Sequence, residues 1–438
     1  MVVDELDELT YDLVRLDERI WQAARVEGIS RRRFLELLGL GGAGVLLGAC
    51  THPRARPGGA TRAPDTSGTT AGATNSTVAS PIVKPLPADK FVLHSGPEIG
   101  NNAEMRWEQM TRRGYLAGND LFFIRNSTVT PRIDPATWKL TVSGSGVTRP
   151  LELGYDELLG LPAVTSVTRF VECAGNGRIF FQDIQGKALQ PNQAVLWRLG
   201  AVGVAEWTGV PLGEVLERAG LKRTARDVMP RGLDPLQVRR PLPVAKALED
   251  DTLLVFAMNG EPLPPDHGFP VRVLVPGWIG VANIKWVGSI EVAEEPLYSD
   301  WNTKFYVFVG PTYHPEPPHL GPVLTTQVVK SALELPWPVN LPAGTHTIRG
   351  RSWSGRGRIV GVEYSLDEGR TWSRAQLSEP NVALAWVRWS FPWDARPGEH
   401  TIRVRATDDH GNTQPDSVPF NQSGYLYGGV VAHPVKVA

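Results

Sequence analysis

The chain has 438 residues, enough for about two or three domains with real cores, and its 42% hydrophobic and 21% charged content is that of a soluble globular protein. A formal net charge of −1 lacks the basic surplus that a general nucleic-acid binder needs. Its two cysteines, Cys50 and Cys173, cannot form a disulfide framework.

In chain order, Leu6, Leu9, Leu13, Leu16 and Ile20 form a heptad-like stripe that predicts a short amphipathic helix of unassigned role. Residues 30–50 read SRRRFLELLGLGGAGVLLGAC: Arg31 and Arg32, then an apolar run too short and too glycine-rich to span a membrane. That order reads as an export signal over residues 1–50. It resembles a twin-arginine signal, and Leu47–Gly48–Ala49–Cys50 resembles a lipobox with Cys50 as the lipidated residue. The resemblance implies export to the cell envelope, at the outer face of the cytoplasmic membrane or in the periplasm, with a lipid anchor as the membrane contact. The competing reading is a basic patch beside a buried helix. Residues 51–88, mostly Thr, Ala, Gly, Ser and Pro, bury too little surface to offset their ordering entropy and are expected to be a flexible linker.

Residues 89–322 mix short apolar runs with helical segments. SVTRFVE, LVFAMNG, FPVRVLVPG and IKWVGSIEV predict buried strands, and YDELLGLP and PLGEVLERAGL predict short helices, an α+β pattern. Residues 323–438 are nearly all β: HTIRGRSWSG, IVGVEYSLDEGRTW, AWVRWSFPW and EHTIRVRATDDHGN alternate apolar and polar positions, with DEGRTW as a hairpin tip. This spacing predicts an immunoglobulin-like sandwich without the Cys…Trp…Cys signature.

Cys173 closes the strand-like SVTRFVE and opens the small-residue turn AGNG. On local residues it is a core thiol, a nucleophile awaiting a base such as His267, or a soft ligand to a metal whose other ligands come from a cofactor. No C-x-x-C or H-E-x-x-H accompanies it to supply a zinc site.

FVECAGNGR (residues 170–178) and NGEPLPPDHGFPVRVLVPGWIGVANIKWVGSIEV (residues 259–292) resemble the sulfite oxidase family of molybdenum enzymes, and the likeness extends from about residue 90 to the C-terminus. It implies a molybdopterin-binding domain followed by an immunoglobulin-like domain that makes a homodimer contact. It implies Cys173 as the protein ligand to molybdenum, with a single pyranopterin dithiolene supplying the other sulfurs. In LFFIRNS, Phe123, Arg125 and Asn126 match cofactor and substrate positions, and Ser127 stands where the family often has histidine. Arg178 matches a second pocket arginine, Gly177 stands where the animal enzymes have another, and Trp197 matches a pocket tryptophan. Asp234, His267, Arg272, Asn283, Ile284 and Lys285 match cofactor-binding positions. Tyr306 matches the active-site tyrosine, and Arg358 the arginine contributed by the second domain.

The implied chemistry is oxygen-atom transfer to sulfite, a small anion oriented by Arg125, Arg178 and Arg358. The sequence has no C-x-x-C-H haem motif, so the electrons are expected to pass to an external c-type cytochrome or a similar acceptor. Alternatives are another substrate on the same cofactor (carrier-bound sulfane sulfur, a sulfoxide or nitrate) or a non-catalytic, lipid-tethered binding protein.

Overall fold

The computed structural model describes residues 82–96, 100–111, 113–189 and 195–438. The leucine stripe, the export signal, Cys50 and the linker up to residue 81 lie outside the described residues. Residues 82–88, which composition assigned to the linker, belong to the described fold. Ile82 is buried, and the backbone N–H groups of Val83 and Lys84 donate to the buried carboxylate of Asp266 at 2.8–3.0 Å. Composition misses this because backbone donors to Asp266 and only two apolar side chains, Ile82 and Leu86, anchor the segment. Among the described residues no helix is long and apolar enough to cross a membrane.

The first part of the fold is built on the predicted strand Thr165–Glu172, rich in β-branched and aromatic residues. It pairs antiparallel with Val202–Pro211, from Thr165 opposite Gly209 to Glu172 opposite Val202. Val202–Pro211 lies between Thr165–Glu172 and Leu253–Met258 and is covered on both faces. Its pattern therefore shows no alternation. A second sheet runs Leu151–Gly154, Lys139–Ser143, Val287–Ala293, Asp227–Gly232 and Leu242–Pro243.

The predicted helices fall at Tyr155–Leu159 and Leu212–Arg218. The first starts where Glu157 Oε2 accepts the Gly154 N–H at 2.7 Å. Two predicted strands come out shorter. FPVRVLVPG contributes Arg272–Leu274, because the Val275 N–H turns to Asn283 Oδ1 at 2.8 Å. IKWVGSIEV contributes Val287–Ala293, because Trp286 takes a left-handed φ of 53° just before it.

The C-terminal part is a two-sheet β-sandwich, as expected. Trp386–Ala395 and Gly344–Trp353 pair along their whole lengths in one sheet, while Gly398–Asp408 is flanked by Ile359–Ser365 and Val431–Val437 in the other. Ile348, Trp389, Phe391, Val362, Ile402 and Val404 form the core between them. The DEGRTW hairpin closes with Tyr364 opposite Ser373. The sandwich is not a separate bead: Trp353, Trp386 and Tyr427 join Trp107, Phe180 and Val202 of the first part in one hydrophobic cluster.

Candidate cofactor and substrate cavity

The Thr165–Glu172 strand delivers Cys173 to a tight turn. The Cys173 N–H donates to Ala201 O at 3.0 Å, and its carbonyl accepts the Asn176 N–H at 2.9 Å. The wholly buried Asn176 ties the turn back, accepting from the Ala201 N–H at 3.0 Å and donating to Glu172 Oε1 at 2.9 Å. Opposite, a Cβ on Gly280 would lie 2.7 Å from Glu172 O and 3.3 Å from Cys173 Cα. Only glycine lets that turn run against the thiol strand. Cys173 is a buried free thiol on the wall of two contiguous cavities.

The inner cavity is lined by Phe123, Arg125, Asn126, Ser127, Cys173, Asp234, His267, Arg272, Asn283, Ile284 and Lys285. All eleven are positions that the sequence singled out, brought together from distant loops and strand ends. Their local roles differ. Ser127 Oγ accepts from Arg125 Nη1 at 2.6 Å and so orients that guanidinium. Asn126 is also committed: its Oδ1 accepts from Lys285 Nζ, and its Nδ2 donates to Thr130 Oγ1 at 2.9 Å. Lys285 further donates to Arg125 O at 3.2 Å and Asp266 O at 2.9 Å, which uses its three hydrogens. Arg272 donates to His267 O at 3.0 Å and Asn283 O at 3.2 Å, while its Nε is buried without a hydrogen-bond partner.

These cations crowd one another. Burial, then Lys84, Lys285 and Arg272, push His267 well below its ordinary value. Burial, then Arg272, does the same to Lys285, and burial lowers Arg272 to about 9. Burial raises the facing carboxyl of Asp234 against the pull of the Val238 N–H, which donates to Oδ1 at 3.1 Å. An anion placed here would relieve the repulsion and favour the charged forms.

The outer cavity shares Arg125, Ser127, Cys173, Trp301 and Tyr306 with the inner one and adds Arg178, Val195, Trp197, Leu236, Phe305 and Tyr425. Arg178 is seated between two glycines: a Cβ on Gly175 would lie 2.6 Å from its guanidinium, and one on Gly424 would lie 2.4 Å from its Cγ. Its Nη1 donates to Val195 O at 2.9 Å, its Nε has no partner, and its guanidinium carbon lies 5.2 Å from the centre of the Tyr425 ring. Burial pushes Tyr306 up to about 12 against the pull of Arg125, so its phenol keeps its proton. Burial opposes the charge on Arg125, but Tyr306, Cys173 and Tyr425 outweigh it and raise the pKa above the ordinary value.

Arg358 is not in either cavity and corrects the sequence expectation. It is exposed, and its N–H donates to Asp409 Oδ1 at 3.1 Å. The glycines of WSGRGR make the close contacts instead: a Cβ on Gly355 would lie 2.5 Å from Gly277 O, and one on Gly357 would lie 2.0 Å from Asp409 Oδ1. The second-domain side chain that does reach the cavity is Tyr425, which sequence reasoning missed, as it missed Trp301, Phe305 and Leu236 as lining residues. Tyr425 sits between the last two long strands, where periodicity carries no signal.

The residues present fit a molybdenum pterin. A free thiol suits a soft metal. The unpartnered Nε atoms of Arg178 and Arg272 and the crowded cations suit an anionic ligand. Among the described residues no group of three or more His, Cys, Asp or Glu could hold a metal, so a metal at Cys173 must bring most of its ligands with it.

Residues 127–301 match the oxidoreductase molybdopterin binding domain, and residues 325–431 match the Mo-co oxidoreductase dimerisation domain. Mitochondrial sulfite oxidase of Homo sapiens is 36% identical over 364 residues, 77% of this chain and 65% of that protein's length. Sulfite oxidase of Gallus gallus is 35% identical over 345 residues, 74% of each chain. The crystal structure of the sulfane dehydrogenase SoxCD from Paracoccus pantotrophus superposes with a TM-score of 0.70 at 26% identity, covering 84% of this chain and 93% of that one.

Proposed function

The chain belongs to the sulfite oxidase family of molybdopterin oxidoreductases, and on that premise we propose that it oxidises sulfite to sulfate in the Cys173 cavity. The observation that carries this reading is the meeting of Cys173, Arg125, Arg178 and Tyr306 on one cavity wall.

When bound, a molybdenum held by a single pyranopterin dithiolene supplies two-electron oxygen-atom chemistry. Cys173 would give it the protein's thiolate. Arg272, His267 and Lys285 would line its anionic end, and Asp234 would accept from pterin N–H groups. Arg125 and Arg178 are the guanidiniums that attract sulfite and orient its oxygens. Arg125 is held in place by Ser127. Tyr306 keeps its proton and donates a hydrogen bond to whichever oxygen gains charge in the cavity. Trp197 and Tyr425 wall the cavity against water. The electrons pass to an external acceptor, a c-type cytochrome or a similar redox protein. The dimerisation domain serves a homodimer, and the resemblance of the N-terminus to a twin-arginine signal with a lipobox supports a location in the cell envelope on a lipid tether.

One observation favours a second substrate. The cavity has two guanidiniums instead of three, and its mouth carries the exposed side chains of Phe305 and Leu236. An apolar, less cationic mouth suits sulfane sulfur presented on a carrier, the substrate type named for the Paracoccus protein. Sulfite-dependent reduction of ferricyanide by the molybdenum-loaded protein separates the two. Saturable turnover supports sulfite. A loaded protein that ignores sulfite and oxidises a protein-bound persulfide supports the second reading. A folded protein that takes up no molybdenum leaves only a binding module.

A further inference from the structure

The turn that bears Cys173 is held from the sandwich domain. Glu172, the residue before the thiol, is wholly buried and accepts hydrogen bonds on every oxygen it has. Its Oε1 takes Asn176 Nδ2 at 2.9 Å and Lys330 Nζ at 2.7 Å, its Oε2 takes Trp353 Nε1 at 2.9 Å, and its backbone O takes Gln327 Nε2 at 2.8 Å. Three of those four donors belong to the strands of the sandwich or the segment that leads into it. Lys330, 1% exposed, also donates to Asn176 O at 2.7 Å and so bridges both ends of the turn.

Removing the lysine would leave a buried carboxylate with no counter-charge and would free both ends of the turn at once. We propose that Lys330 is a positioning residue for the metal ligand: through the Glu172–Lys330 pair, docking of the second domain sets the Cys173 turn in the shape that retains the cofactor. This rests on Cys173 being the protein's thiolate to molybdenum.

A second buried pair, Arg351 with Glu334 inside the sandwich, reaches the first part of the fold through the same arginine and provides the control. Arg351 donates to Glu334 Oε1 at 2.7 Å, to Tyr115 O at 2.7 Å and to Gly114 O at 3.0 Å, and none of these residues lines the cavities. The test measures molybdenum per folded protein, together with the Mo(V) paramagnetic resonance spectrum, in protein made in a cofactor-competent host. Four proteins are compared: wild type, Lys330→Met, the neutral pair Glu172→Gln with Lys330→Gln, and Arg351→Met.

Lys330→Met is expected to lose about tenfold or more of its molybdenum, as when the partners of a metal's ligand are removed. Its residual signal should be altered. The neutral pair, which keeps amide hydrogen bonds without a buried charge, should regain most of the metal and the wild-type spectrum. Arg351→Met should melt earlier yet carry wild-type molybdenum in its folded fraction.

Lys330→Met with wild-type metal and spectrum would overturn the inference. So would Arg351→Met losing as much metal as Lys330→Met, or a neutral pair as empty as the single variant. Wild-type protein without molybdenum would instead overturn the reading of Cys173 itself.

Discussion

The ring of Tyr306 stacks on that of Tyr425, with centroids 5.2 Å apart and 21° between the planes. Tyr306 follows the short helix Asp300–Thr303 of the catalytic part, and Tyr425 comes from the far end of the sandwich. The substrate wall is therefore composed by both parts of the chain. Tyr306 is held there in a left-handed φ of 55°, with its carbonyl accepting the Leu324 N–H at 3.0 Å. Its phenol, pushed up to about 12, remains a donor across the working pH range.

Tyr306→Phe is expected to lower kcat by about 10²-fold, the scale of removing one aimed donor, with molybdenum content unchanged. Tyr425→Phe keeps the stack and should stay near wild type. Steady-state kinetics on metal-quantified protein checks both.

The two arginines expected to join Arg125 separate cleanly. Arg178→Ala should raise KM for sulfite on the order of 10- to 100-fold, since a hydrogen bond to a charged group contributes about 1.5–3 kcal/mol. Arg358→Ala should leave KM and kcat unchanged, because Arg358 is exposed and outside the cavity. A raised KM in Arg358→Ala would contradict the placement of Arg358 outside the cavity.

Asp266 anchors the first described residues. It accepts from the Val83 and Lys84 N–H groups and from Thr130 Oγ1 at 2.5 Å. Asp266→Ala should cost about 3 kcal/mol in urea unfolding, for lost hydrogen bonds to a buried charge. It should also expose residues 82–90 to limited proteolysis.

Lys84 makes a pH-dependent contribution. Burial depresses it from its ordinary 10.5 to about 7, with its Nζ 3.4 Å from His267 Nε2. Between those values the unfolded chain holds a proton that the folded chain has released. From this group the cofactor-free protein should therefore gain stability as pH rises from about 7 toward 10, lose it over the same range as pH falls, and show no further change below about 7. Lys84→Met should flatten that part of the Tm-against-pH curve. An anionic cofactor beside His267 should flatten it as well.

Much of the inner cavity was legible in the sequence because its residues lie in long, ordered motifs. Cys173, His267 and Asn283 sit in turns whose glycines and prolines constrain the backbone locally, and Arg272 opens the strand that follows one of them. The sandwich was legible from alternation, as in Gly344–Trp353. What escaped was decided by packing between distant segments. Arg358 carries the right charge in the right domain, but Gly355 and Gly357 make the close contacts and leave the arginine outside. Tyr425 and Phe305 have no local pattern and reach the cavity through tertiary packing alone. Ser127 and Asn126 line the cavity as expected, but their ties to Arg125 and Lys285 are set by the fold and carry no signal in the sequence.

Molybdenum K-edge absorption on wild type and Cys173→Ser is the most direct test of where the metal sits. Cys173 as the protein ligand predicts that the variant's metal shell loses one sulfur neighbour and that sulfite turnover disappears with it. A Cys173→Ser protein with an unchanged sulfur shell and undiminished turnover would contradict that assignment and return Cys173 to the packing of the core.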